Sequence, residues 1–213
     1  MALVITVAQQ KGGAGKTMLA ANLAAVLATR QKVCLLDIDP QRSLMRWHAL
    51  RESQSKPLPA ITFSDVSGWR LKLEIDRLKK THDVVIVDSP PQIDTDAKLA
   101  IRSADLVLVP LQPTPPDLWA AEGTVALATS EKRPVRLVLN RAPTASTLRS
   151  IVERDIATAG FTLLTATLGN RAGFANAFAQ GMGVTEASPK SQAAQEVRAL
   201  LTEIDSIVTE AVR

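Results

Sequence analysis

Apolar, β-branched runs recur along the chain at residues 3–7, 33–36, 61–63, 84–87, 106–109, 135–139 and 161–165. Most of the intervals between them place apolar residues at helical spacing, at 18–29, 69–78, 97–103, 118–128 and 148–157. The runs are nearly continuous rather than alternating in polarity, as strands of a parallel sheet are when both faces are covered. Such alternation of strand and helix predicts an α/β fold: a doubly wound, mostly parallel sheet with helices on both faces. A last helix is predicted from about Pro189, with Ala193, Val197, Leu200, Leu201, Ile204 and Val208 in one stripe. Its other face mixes Glu196, Glu203, Asp205 and Glu210 with Arg198 and Arg213, whereas a membrane-lying helix would carry mainly lysine and arginine there. The cluster Pro110, Pro113, Pro115 and Pro116 reads as an extended loop at the sheet edge.

The 213 residues suit one domain spanning the whole chain, 1–213, enough to bury about 70% of its unfolded surface. No apolar stretch approaches the roughly 18 residues of a membrane span, and the N-terminal run lacks a signal-peptide pattern. A single cysteine, Cys34, lies inside a hydrophobic run and reads as a small core residue. Together these predict a soluble cytoplasmic protein. The net charge of +4 is unevenly placed. Residues 42–80 carry nine Lys or Arg against four Asp or Glu, while residues 141–213 carry seven of each. Aromatic residues are 3% and tyrosine is absent, so bases of single strands have little to stack on; any nucleic acid would be held by its phosphates.

The first run leads into Gln10-Lys11-Gly12-Gly13-Ala14-Gly15-Lys16-Thr17 and then a helical segment, the strand, glycine-rich loop, helix order of a P-loop. Glycines let the backbone fold so tightly that several N–H groups converge on phosphate oxygens, and the helix adds the positive end of its dipole. Lys16 is then placed to neutralise β and γ phosphates, and Thr17 to offer a hydroxyl to Mg2+. Lys11, Gly12, Gly13, Ala14, Gly15, Lys16, Thr17 and Met18 form the candidate nucleotide loop. The strict pattern has glycine where this chain has Gln10, and a second lysine, Lys11, opens the loop.

That arrangement resembles the deviant Walker A loop of the ParA/MinD family of P-loop ATPases. Leu36-Asp37-Ile38-Asp39-Pro40-Gln41 is similar to the family's second motif, and Val84 through Pro91 to its Walker B strand. Val109-Pro110-Leu111-Gln112-Pro113 and Leu137-Val138-Leu139-Asn140 resemble the strand ends that approach the base, which makes Asn140 a candidate nucleotide contact. The short length and the Asp39 to Trp47 run look most like the small plasmid-partition ParA proteins without an N-terminal DNA-binding extension. The resemblance implies that Asp39 positions or activates the attacking water and that Asp88 holds Mg2+ through its water shell, so Thr17, Asp39 and Asp88 form the candidate metal set. For Asp37 a supporting contact near Mg2+ and a cap on the next turn stand equal. Within one subunit Lys11 has no obvious task, and the resemblance implies that it crosses to the ATP of a partner subunit in a homodimer. Lys11, Lys16 and Asp39 are thus the candidate catalytic residues.

Asn140 is followed by Arg141-Ala142-Pro143 without the aspartate of a guanine site, which favours ATP. One cysteine cannot supply the two needed per subunit for a bridging iron–sulfur cluster. The function implied is a partition ATPase that binds ATP and Mg2+, dimerises and binds DNA without sequence preference at the nucleoid. Its hydrolysis would be stimulated by a ParB-like or other cargo-bound partner. Arg171 and Lys190 are the DNA candidates. A dethiobiotin-synthetase-like ligase and a nucleotide-gated adaptor are the competing readings.

Overall fold

The computed structural model describes residues 2–144 and 146–211. Six parallel strands form one sheet: β1 (Leu3–Val7), β2 (Val33–Asp37), β3 (Ile61–Ser64), β4 (Val84–Asp88), β5 (Leu106–Leu111) and β6 (Val135–Leu139), in the order β3-β2-β4-β1-β5-β6. The period of two in a strand sends alternate residues to opposite faces. Ile5, Val7, Val33, Leu35, Val84 and Ile86 join one core, with α1 (Lys16–Leu27), α2 (Ser43–Glu52), α7 (Ala172–Phe178), α8 (Val184–Ala187) and α9 (Gln192–Ala211). Val4, Cys34, Leu36, Val85 and Val87 face α3 (Leu71–Leu78) and α4 (Thr95–Ser103) on the other side. That side continues over β5 and β6 under α5 (Pro115–Ser130) and α6 (Thr147–Thr158). Cys34 is fully buried, and burial pushes its thiol up to about 12.

This is the predicted doubly wound α/β sheet. The run at 161–165, expected as a seventh strand, follows β6 only through a single bridge between Leu137 and Leu163. Its continuation is diverted: the backbone N–H groups of Thr165 and Ala166 donate to the two carboxylate oxygens of Glu203 in α9, both at 2.9 Å. The last helix starts at Gln192 rather than Pro189, because Ser191 accepts the N–H groups of Ala194 and Gln195 as its cap. Lys190 therefore lies in the turn before α9 and does not begin it.

The proline cluster is not a loop at the sheet edge. Pro110 belongs to β5, an inner strand, and pairs with Val138 of β6. It is tolerated because β1 pairs with β5 only as far as Leu108, so Pro110 has no neighbour on that side to miss its N–H. Pro115 and Pro116 fill the first turn of α5, where a missing N–H costs nothing, and Thr114 caps that turn.

A buried ion pair ties α2 to the far helices. Arg51 forms a two-pronged bridge to Glu186 of α8 at 2.7 and 2.8 Å, donates to the Pro59 carbonyl at 2.7 Å, and lies over the Trp47 ring. Removing one partner of such a pair strands the other charge away from water, at about 3–5 kcal/mol. Arg51→Ala should lose stability on that scale in urea unfolding, and Arg51→Met with Glu186→Gln should recover part of it. An Arg51→Ala protein as stable as the unmodified one would remove the pair from this role.

Candidate active site

In an open parallel sheet, ligands bind beyond the carboxyl ends of the strands, where successive connections diverge to either side. Here β1 sits between β4 and β5, its exit loop opens there, and β2 and β4 end beside it on paired residues, Asp37 and Asp88. The exit loop is Gln10 to Gly15. Gly13 and Gly15 take φ of 79° and 95°, a left-handed backbone that glycine adopts without strain. Gly15 has a second reason: a Cβ there would meet the Asn140 amide nitrogen at 2.0 Å. Gly15 is also the N-cap of α1, with no side-chain cap and no acidic residue in the first turn. The helix N-terminus is thus left free to receive an anion.

Lys16 begins α1 and is buried, which pushes its ammonium below the usual lysine value against the opposing pull of Asp88 and Asp39. Asp88 is wholly buried, and burial pushes its carboxyl up to about 8; Thr17 and Lys16 counter that, while Asp37 and Asp39 add to it. Neither Asp88 oxygen completes a hydrogen bond, although the Thr17 hydroxyl lies close enough to lower its pKa. A buried carboxylate without a partner beside a threonine hydroxyl is the donor set a Mg2+ ion takes when phosphates supply the rest of its shell. Among the described residues no cluster of three or more His, Cys, Asp or Glu could hold a metal alone, so an ion at Asp88 would need those phosphates.

The two aspartates that follow β2 differ. Asp37 accepts the N–H of Asp39 at 3.0 Å through one oxygen and that of Met45 at 3.1 Å through the other. Both oxygens are thus committed to shaping the turn and the start of α2, and of the two roles open for Asp37 the cap is the one the contacts favour. Asp39 is half-exposed and accepts from the Gln41 N–H at 2.9 Å with one oxygen.

Asn140, expected near the base, donates its amide to the Ala14 carbonyl at 2.8 Å and accepts from the Arg141 N–H at 2.9 Å, so it braces the loop from behind. With Gly15, Met18, Asn170 and Phe174 it also lines a cleft of about 190 Å3 beside the loop. Arg171 lines the same cleft, but its guanidinium is paired with Glu196 at 2.6 Å and held protonated by it. Lys190 is exposed and on a different segment. Lys11 does not point away from the subunit: its ammonium forms an ion pair with Asp117 of α5. Nothing in the sequence pairs these two, which lie 106 residues apart.

The chain matches the family model of the CobQ/CobB/MinD/ParA nucleotide binding domain over residues 5–184. It is 31% identical over 210 residues to Maintenance of carboxysome distribution protein A of Halothiobacillus neapolitanus, covering 95% of this chain and 96% of that protein. A plasmid partition protein of Borrelia burgdorferi bound to AMPPNP shares the fold with a TM-score of 0.78 at 18% identity, covering 97% of this chain and 99% of that one. So does the septum site-determining protein MinD of Pyrococcus horikoshii complexed with Mg-ADP, with a TM-score of 0.78, 18% identity and 98% coverage of both chains.

The raised pKa of Asp88 has a direction that stability can report. The native carboxyl keeps its proton to about 8, while an unfolded aspartate loses it near 4, so the native state binds the extra proton between those values. Stability of the nucleotide-free protein should therefore fall as pH rises across that window. Asp88→Asn removes the effect, and its stability advantage in urea unfolding should widen from about pH 5 to about pH 7.5. An advantage that does not change with pH would contradict burial as the source.

Proposed function

The chain belongs to the CobQ/CobB/MinD/ParA nucleotide-binding family and is an ATPase of the ParA/MinD type, and we propose that it uses an ATP–Mg2+ switch to position a cellular cargo. The observation that carries the site is Asp88, buried without a hydrogen-bond partner beside Thr17 and near Lys16. Lys16 and the N–H groups of the loop hold the β and γ phosphates, and Thr17 and Asp88 hold the metal. Bound there, Mg2+ offsets the phosphate charge. Asp39, half-exposed at the mouth, orients the attacking water. The cleft lined by Met18, Asn140 and Phe174 takes the adenine.

Lys11 reaches the nucleotide of a second copy, so that ATP joins two subunits face to face. Similarity over nearly the whole chain to a carboxysome distribution protein favours a large protein assembly as cargo. A partner bound to that cargo stimulates hydrolysis, and DNA held without sequence preference serves as the track. The surface offers exposed Arg42, Arg46, Arg70, Lys72, Lys80 and Lys190 for phosphates, whereas Arg171 is engaged by Glu196. Among the described residues no helix is long and apolar enough to cross a membrane.

Lys16→Ala and Thr17→Ala should each abolish Mg2+-dependent ATP binding in calorimetry, and Asp39→Ala should bind ATP while turnover stops. Unchanged affinity in the first two, or undiminished hydrolysis in the third, contradicts these roles. On random duplex, binding should require ATP and weaken steeply with salt, because each phosphate neutralised adds about 0.9 to the slope of log affinity against log salt. Equal binding with ADP, or none with either, would rule out DNA as a track gated by ATP.

A further inference from the structure

The pair between Lys11 and Asp117 is unequal. The Asp117 side chain is 1% exposed, while that of Lys11 keeps 38%. Asp117 is fixed from other sides as well. The Thr114 hydroxyl donates to one of its oxygens at 2.6 Å, the Gln112 N–H approaches the other at 3.3 Å, and its backbone carbonyl accepts from the Gln9 amide at 3.4 Å. The carboxylate cannot follow the lysine, so if the pair opens it is Lys11 that moves. The loop before Lys11 is bound to the same helix. Gln9 also reaches the Pro110 carbonyl, and the Gln10 amide lies 2.0 Å from where a Cβ on Gly123 of α5 would stand. Gln9 and Lys11 thus both dock on Asp117, and Gln10 on Gly123 further along α5.

We propose that Asp117 is a positioning residue that parks Lys11 on its own subunit and thereby sets how tightly the ATP dimer forms. The proposal rests on Lys11 serving the nucleotide of a second copy. Two outcomes are open to the pair when the copies meet. It opens, and a buried carboxylate loses its counter-charge. Or it stays closed, and a carboxylate is brought up beside the partner's phosphates, which repel it. Both oppose the dimer. In a two-fold assembly the cost arises in each subunit. Removing the charge of Asp117 while keeping its shape should therefore favour association. Asn does this, since its carbonyl oxygen still accepts from Gln112.

The test is sedimentation equilibrium with AMPPNP and Mg2+ of the unmodified protein, Asp117→Asn, Lys11→Ala and the double variant. Asp117→Asn should lower the dimer dissociation constant by about tenfold or more, the ratio that follows from even a modest net penalty in each subunit. Lys11→Ala and the double variant should stay monomeric, which a merely structural role for Asp117 would not produce alongside a tightened dimer. Asp117→Asn dimerising no more tightly, with Lys11→Ala monomeric, overturns the parking role and leaves the cross-subunit reading intact. Lys11→Ala dimerising as tightly as the unmodified protein overturns that reading, and the proposal with it. Should Asp117→Asn not fold, acylation of the unmodified protein without nucleotide gives the answer. Lys11 should react more slowly than the exposed Lys72 and Lys80, and equal rates overturn the pairing.

Discussion

Two ionisable side chains, Lys16 at the start of α1 and Asp88 at the end of β4, are buried beside the loop that leaves β1, with no hydrogen bond to either Asp88 oxygen, and the architecture around them follows from that placement. Each charged form is disfavoured by burial, the ammonium drawn down and the carboxyl drawn up to about 8. Isolated charges in such a setting cost several kcal/mol each unless something bridges them. The sheet keeps them there all the same. Residues on both faces of β1, β2 and β4 sit in hydrophobic cores, and α1 is buried along almost its whole length. The strand ends and the helix N-terminus therefore cannot relax away from one another. A rigid scaffold with an unfinished polar centre is suited to a ligand that supplies both phosphate oxygens and a cation.

The two rims of that centre are built differently. On the β2 side the turn carrying Asp39 is shaped by Asp37, then anchored through α2 by Trp47 stacked on Phe178 and by the buried Arg51–Glu186 bridge. That rim is fastened to α7 and α8, which pack beside α2 on the same face of the sheet. On the β5 side the loop is strapped to α5 by Gln9, Gln10 and the half-exposed Lys11. One rim is locked by a pair that is nearly inaccessible to water; the other ends on a lysine that keeps over a third of its side chain exposed. This difference puts the proposed release of Lys11 on the α5 side. It also accounts for Gln10 standing where the strict loop pattern has glycine, because its side chain has a place prepared by Gly123.

Much of the fold was legible in the sequence because uninterrupted apolar runs are what doubly covered strands must be. It misled where a contact from far along the chain decides. The run at 161–165 has the composition of a strand, yet Glu203 takes the N–H groups where it would continue, at Thr165 and Ala166. Helix α2 has no clear apolar period because a buried arginine, Arg51, occupies a position where that period expects a hydrophobic residue. At the site, the glycines and the Gly-Lys-Thr order carry their own chemistry and could be read directly. The aspartate opposite Lys11 could not, since neither residue has a local signature of the other. Asn140 was legible as a strand-end residue near the loop, but not as a brace on Ala14.

Buried Asp88 and Lys16 are completed only by metal and nucleotide together. Thermal unfolding of the unmodified protein with Mg2+ alone, with ATP alone and with both tests this most directly. The two together should raise the unfolding midpoint by more than the sum of the separate shifts, because neither alone supplies both phosphate oxygens for Lys16 and a cation for Asp88. A midpoint raised fully by Mg2+ alone, or unmoved by the combination, would contradict it.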